Sequence, residues 1–320
     1  MAVNKITVIG AGSVGSTTAF ALALKNIANE IVIIDINEDK ALGEAMDIHQ
    51  GTPLFSEPVN VYAGDYKSAV GSDIVVITSG VARKPGQTRI DLAQTNVNII
   101  KQITPQIVRS CPDATYVIVA NPVDILTYVF SKVSGIPQNR IIGSGTLLDT
   151  ARLRSRLADY MNVSQKNVHA YVLGEHGDTE LPAWSLTSIA GMGMDEYCSL
   201  CASCQGSLSQ TVRAEFDDKV RNAAYRIIEG KGATFYAVAL AVRRIVEAIL
   251  RDEQSILTVS SLLTGQYGLD GVCLSLPCIV GVNGVEQVLP IHLSDEEMAQ
   301  LRTSADAIRA AIRLMDEPVE

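Results

Sequence analysis

Short runs of Ile and Val with no polar residue between them recur through the first third of the chain. Each is followed by a longer stretch in which apolar residues return every three or four positions. The runs are "KITVIG" from Lys5, "NEIVIID" from Asn29, "NVYAGD" from Asn60, "DIVVITSG" from Asp73 and "TYVIVANP" from Thr115. Helical spacing fills the intervals from Val14 to Lys25, from Glu38 to His49, and through "RIDLAQTNVNIIKQITPQIVRSC" from Arg89. A strand with one wet face alternates apolar and polar residues. These runs do not alternate, so both faces are buried, as in a parallel sheet covered by helices on each side. The pattern predicts a doubly wound α/β unit over residues 1–145.

Past Gly145 the texture changes. A helix is expected in "TLLDTARLRSRLADYM", a single strand in "VHAYVLG", then further helices and antiparallel strands in "GVCLSLPCIVG" and "GVEQVLPIHL". This reads as a mixed α+β unit over 146–320. No low-complexity linker separates the two, so they are expected to pack together around one cleft.

Composition narrows the function classes. The 320 residues are 47% hydrophobic, enough for a sizeable core. The apolar runs fall far short of the roughly 20 residues of a membrane span, and Met1 leads into a strand with no signal-peptide pattern. A cytoplasmic protein with no membrane partner is expected. The net charge of −9 and the lack of a basic stripe argue against nucleic acid. Cys198, Cys201 and Cys204 form a C-x2-C-x2-C run, but Leu208 and Ser209 stand where an iron–sulfur run would continue with Cys and Pro. Nothing completes a zinc site either. These cysteines read as semi-exposed thiols on a helix, and no metal is expected.

Two clusters carry chemistry. Gly10, Gly12 and Gly15 in "VIGAGSVGS" spell G-x-G-x-x-G between a strand and a helix, the setting in which backbone N–H groups and a helix N-terminus receive a pyrophosphate. Asp35 closes the second strand 20 residues after Gly15. Its carboxylate would accept hydrogen bonds from ribose hydroxyls and repel a 2′-phosphate, so NAD rather than NADP is expected. Of the four histidines, His49, His169 and His292 show no obvious partner in the sequence, whereas His176 lies on a loop between Gly174 and Gly177. Asp149 and Arg152 in "LLDTARLR" share one helix face. A carboxylate on one imidazole nitrogen fixes the tautomer and raises the proton affinity of the ring, and an arginine can grip a substrate carboxylate with two hydrogen bonds.

"VIGAGSVG", "ANPVDILTYV", "GSGTLLDTARLR" and "GEHGDTELPAWS", in this order over essentially the whole length, resemble the NAD-dependent lactate/malate dehydrogenase family. The resemblance implies a Rossmann domain followed by a catalytic domain, and hydride transfer between nicotinamide and the C2 of a 2-oxo or 2-hydroxy acid. It makes His176 the proton donor and acceptor, Asp149 its orienting partner, Arg152 the clamp on the C1 carboxylate and Arg89 the group that polarises the carbonyl. Asn121 would touch substrate and cofactor, and Thr234 in "GKGATFY" would line the substrate pocket. Ser13, Val14, Thr78, Gly80 and Asn96 join Gly10, Gly12, Gly15 and Asp35 in the implied cofactor site.

Within the family, "GVARKPGQTR" corresponds to a loop that closes over substrate, and Arg83 falls at its specificity position. Lactate enzymes generally carry Gln there and malate enzymes Arg. Glu175, the pair Ala223–Ala224 and Thr234 resemble the lactate branch instead. An unpaired guanidinium closed over a pyruvate methyl would cost on the order of 3–5 kcal/mol. That term favours oxaloacetate and malate as the expected substrate pair, with pyruvate and lactate as the alternative and a non-catalytic dinucleotide sensor as a third reading. Arg154 and His169 stand where bacterial lactate dehydrogenases activated by fructose 1,6-bisphosphate hold that effector between subunits. The resemblance therefore implies a possible effector site and a homotetramer.

Overall fold

In the computed structural model, which describes residues 4–81, 89–201 and 208–316, the apolar runs form β1 (Lys5–Ile9), β2 (Glu30–Ile34), β3 (Asn60–Ala63), β4 (Ile74–Ile77) and β5 (Thr115–Ile118). Between them lie α1 (Ser13–Leu24), α2 (Glu38–Gly51) and α3 (Arg89–Ser110). After α4 (Val123–Val133), β6 (Ile141–Gly143) completes a run of six parallel strands. Burial on both faces is what the uninterrupted Ile/Val pattern required. On β2, Ile31 and Ile33 pack under α1 and α2, while Val32 and Ile34 face the opposite core with α3 and α4.

The remaining elements are α5 (Leu147–Met161), β7 (Val168–His169), β8 (Val172–Leu173), β9 (Leu181–Pro182), β10 (Ser188–Ile189), β11 (Met192–Gly193), α6 (Met194–Leu200), α7 (Gln210–Arg221), α8 (Ala223–Lys231), α9 (Tyr236–Leu250), β12 (Ser255–Thr264), β13 (Asp270–Gly281), β14 (Gly284–Val288) and α10 (Asp295–Asp316). The antiparallel strands β12, β13 and β14 extend the first sheet rather than building their own. Ser260 of β12 pairs with Gly143 of β6, giving one nine-stranded sheet in the order β14-β13-β12-β6-β5-β4-β1-β2-β3. Helix α9 lies against α1, and its Val242, Ile245 and Ile249 join the core beneath β1 and β2. The two halves therefore share both a sheet and a core.

The stretch "VHAYVLG" is not the single strand that its pattern suggested. β7 pairs with β10 in a small three-stranded sheet, and β8 pairs with β9 in another. The break has a local cause. The Val172 N–H donates to the Thr150 hydroxyl at 2.9 Å, and the Thr146 hydroxyl donates to the Val172 carbonyl. Thr146, at the N-cap of α5, and Thr150, on the helix, thus take both backbone groups of Val172 that a continuing strand would have used. Cys198 also departs from expectation: it is fully buried with Met194, four residues earlier on α6, in a third core with Leu153 and Leu157 of α5. Cys201 is half-buried, and Cys204 lies outside the described residues.

Gly15 marks the closest approach of α1 to β1. A Cβ placed there would stand 1.8 Å from the Gly10 carbonyl oxygen and 2.8 Å from the Thr78 hydroxyl. Gly15→Ala should therefore push helix and strand apart, at about 1–3 kcal/mol or more, and lower the thermal midpoint by several degrees. A midpoint within a degree of the parent's would show that the turn yields without cost.

Candidate active site

At the sheet's C-terminal edge the chain leaves β1 through Gly10 and enters α1 at Gly12. The helix N-terminus has no side-chain cap and no acidic residue in its first turn. Space is open where a Gly12 Cβ would stand. Uncapped N–H groups beside open space form a seat for an anion. Asp35, one residue beyond β2, is fixed there by backbone donors: Ala11 N–H to Oδ2 at 2.6 Å and Asn37 N–H to Oδ1 at 2.9 Å. The residues present thus fit a dinucleotide, with the amides of the turn toward its phosphates and the Asp35 carboxylate toward a ribose.

The other residues expected at this end divide into two kinds. Ser13 is exposed beside the turn, and Val14 packs into the core below it. The Thr78 hydroxyl donates to the Ile9 and Gly10 carbonyls at 3.1 and 3.2 Å, tying β4 to the turn. Asn96 is 1% exposed, and its carboxamide is spent on the backbone. It accepts from Val81 N–H at 2.8 Å and donates to the carbonyls of Asn121 at 2.7 Å and Val81 at 3.3 Å. Asn96 therefore braces the segment after Gly80 against Asn121, while Gly80 and Asn121 are themselves exposed.

The acid–base end is assembled from distant segments. Gly174, with φ +87°, pairs with Ser275 of β13 through two 2.9 Å backbone hydrogen bonds, and any Cβ on it would meet Ser304 of α10. The Glu175 N–H donates to the Ser304 hydroxyl at 2.7 Å, which pins the loop to α10. His176 then donates its backbone N–H to Asp124 of α4 at 2.8 Å, and the Ser260 hydroxyl of β12 donates to the other Asp124 oxygen at 2.6 Å. With its backbone so held, the His176 ring meets Asp149 of α5, Nδ1 to Oδ2, at 2.5 Å. The second Asp149 oxygen accepts from Arg152 Nη1 at 2.6 Å.

Charge explains how so many ionisable groups sit together. Asp149 is 1% exposed. Burial alone would raise its proton affinity, but His176 and Arg152 together hold its carboxyl below the usual carboxylate range. Burial would likewise strip the proton from His176. The carboxylates of Asp149, Glu180 and Asp124 outweigh that effect and lift the ring to about 9. Since a carboxylate only accepts, Nδ1 carries a proton toward Asp149, and Nε2 is the nitrogen left to exchange one. Asp124 is raised to about 6 by burial, partly offset by Ser260 and His176.

His176, Asp149 and Arg152 thus come together as the sequence suggested. Arg83 lies outside the described residues; Arg89 is the first residue of α3, its side chain likewise outside them. Thr234 is half-buried in the link between α8 and α9. Asp124 and Glu180 were not anticipated, although they stand inside the motifs "ANPVDILTYV" and "GEHGDTELPAWS". A lone acid within the apolar run "VDILTYVF" was the available signal for the first.

Comparison with known proteins follows the same outline. Family profiles described as the NAD binding domain and the alpha/beta C-terminal domain of lactate/malate dehydrogenase match residues 4–143 and 146–318. An L-lactate dehydrogenase of Acetivibrio thermocellus is 56% identical, with 98% of each chain covered. L-lactate dehydrogenase 1 of Clostridium acetobutylicum is 55% identical over 97% of each. The crystal structure of a minor L-lactate dehydrogenase from Enterococcus mundtii superimposes with a TM-score of 0.93 at 39% identity, covering 98% of each chain. These relatives overturn the expectation of malate and oxaloacetate, which rested on Arg83. The penalty invoked there applies only to a guanidinium enclosed in the pocket, and an arginine's long stem allows its head to stay in water. The role of Arg83 as partner of a second carboxylate falls with that expectation.

The raised ring of His176 links stability to pH. With a folded value of about 9 against an ordinary 6.5, the pair's contribution is complete below about 6.5 and is lost as pH rises through about 9. In urea unfolding, the parent should exceed His176→Gln by about 1–3 kcal/mol near the acid end of this window. The margin should shrink steadily toward its alkaline end. A margin independent of pH would mean that the ring is not held protonated.

Proposed function

The chain belongs to the lactate/malate dehydrogenase family, and from that premise we propose that it is an L-lactate dehydrogenase, interconverting pyruvate and L-lactate with NAD. The observation that carries the substrate assignment is whole-length identity of 53–56% to proteins named L-lactate dehydrogenase. The site geometry supports the reaction type.

NADH, when bound, supplies the hydride that reaches the substrate's C2. Everything else falls to the chain. Arg152, already fixed on Asp149, turns its remaining donors to the C1 carboxylate of the 2-oxo acid. Protonated His176 gives its Nε2 proton to the carbonyl oxygen as hydride arrives, so that the C=O becomes CH–OH with no free alkoxide. The neutral ring keeps its Nδ1 proton on Asp149. In reverse it recovers the Nε2 proton from the hydroxyl. Asp149, being buried and ionised, stabilises the imidazolium throughout, and Asp124 keeps the backbone of His176 from shifting. Arg89 and Thr234 complete the proposed substrate contacts, with Asn121 between substrate and cofactor.

A reducing, cytoplasmic setting is part of the proposal, supported by four buried thiols at Cys111, Cys198, Cys273 and Cys278. Among the described residues no helix is long and apolar enough to cross a membrane. Steady-state assays should give pyruvate a kcat/KM at least tenfold above that of oxaloacetate. The opposite order would sink the assignment.

We further propose a homotetramer in which Arg154 and His169 form an anion site for fructose 1,6-bisphosphate. Arg154 stacks over Tyr171 at 6.0 Å, its buried Nε lacking a hydrogen-bond partner among the described residues, and His169 is exposed on β7. Millimolar bisphosphate should lower the apparent KM for pyruvate, or raise the tetramer fraction in sedimentation, most clearly in dilute enzyme. Parent kinetics and sedimentation unchanged by the bisphosphate would remove the effector site.

A further inference from the structure

One buried acid beside His176 has no task in the proposed mechanism. Glu180 ends the loop that presents His176 and immediately precedes β9; it is 5% exposed, and its buried Oε1 has no hydrogen-bond partner among the described residues. A buried polar atom left unpaired costs free energy, so its retention beside reacting groups calls for a compensating interaction. The compensation is electrostatic. Carboxylate oxygens of Glu180 and Asp149 and a ring nitrogen of His176 all lie within 4.8 Å of one another.

We propose that Glu180 is a positioning residue of the acid–base centre: as a carboxylate facing His176 it holds the proton on the imidazole and extends proton donation to higher pH.

The groups around it set the sign. Asp149, on α5, repels a second negative charge. His176 on the loop, Arg152 on α5 and Arg221 on α7 attract it. Burial and Asp149 raise the Glu180 carboxyl to about 8, and the three cations limit the rise. Asp124 on α4 faces His176 as a further acid, and Glu175 bears on Asp124. The negative charge of Glu180 raises the proton affinity of the ring, and the charged ring in turn favours the ionised form of Glu180. The two titrations are coupled, so each residue moves the other's midpoint.

The test compares parent, E180Q and E180D. Histidine labelled with 13C in the imidazole reports the His176 midpoint by NMR, with H176N assigning the signal. This readout does not depend on substrate and stands even if pyruvate is not reduced. The pH profile of kcat/KM for pyruvate is the second readout, and it rests on the dehydrogenase reading. E180Q should lower the His176 midpoint and the alkaline limb by about one unit, leaving roughly a tenth of parental kcat/KM above the midpoint, with the plateau at lower pH kept. E180D, which restores the charge, should recover most of the shift. A parental His176 midpoint in folded E180Q overturns the proposal, as does a lowered plateau with an unmoved limb. If E180Q does not fold, H176N decides through carboxyl NMR of labelled glutamate. Removing the cation should drive the glutamate that titrates near 8 in the parent further up. An unmoved midpoint there also overturns the proposal.

Discussion

One buried carboxylate organises the acid–base end of this protein. Asp149 gives one oxygen to the His176 ring and the other to Arg152, at 2.5 and 2.6 Å. Stripped of either cation, it would be a charge in a low-dielectric interior, costing several kcal/mol. Held by both, it becomes the fixed point that sets the separation of the His176 ring and the Arg152 guanidinium. In the proposed reaction that separation matters, because hydride transfer to C2 and proton transfer to the adjacent oxygen require the substrate acid's two ends to be held at once.

The fold supplies that fixed point by bringing together segments far apart in the chain. Asp149 and Arg152 are one turn apart on α5, but His176 reaches them only because its loop is tied on three sides. Ser275 of β13 holds Gly174, Ser304 of α10 holds Glu175, and Asp124 of α4 holds His176 itself. Each tie is made to backbone. The loop is thereby fixed without using the ring, which remains a quarter exposed while Asp149 against it is buried. Extending the parallel sheet with β12 and β13 is what brings Ser260 and Ser275 into range, so the continuous sheet is a condition of the chemistry.

The two ends of the site solve different electrostatic problems. At the cofactor end the carboxylate of Asp35 is satisfied by backbone N–H groups, and the turn around it is built from glycines and helix dipole, with no counter-ion needed. At the acid–base end Asp124, Asp149 and Glu180 stand against His176, Arg152 and Arg221. The balance of charge there, more than any single group, sets when a proton is held.

What the sequence determined by itself were the properties that local pattern controls. Unbroken Ile/Val runs specify strands buried on both faces, G-x-G-x-x-G with Asp35 specifies a dinucleotide turn, and the helical spacing of Asp149 and Arg152 places them side by side. Motif order over the full length carried the family, yet the weight placed on Arg83 led to the wrong substrate, because a charge at one position says nothing of whether the pocket encloses it. Only the tertiary structure decided the rest. Thr146 and Thr150 broke an apparent strand in two, α6 turned Cys198 into the core, and the carboxamide of Asn96 was committed to the backbone. Asp124 came to face His176 because α4 and a loop 52 residues later meet beside β12, and Glu180 joined them because that loop lies against Asp149 of α5; long-range contact of that kind leaves no periodicity to read.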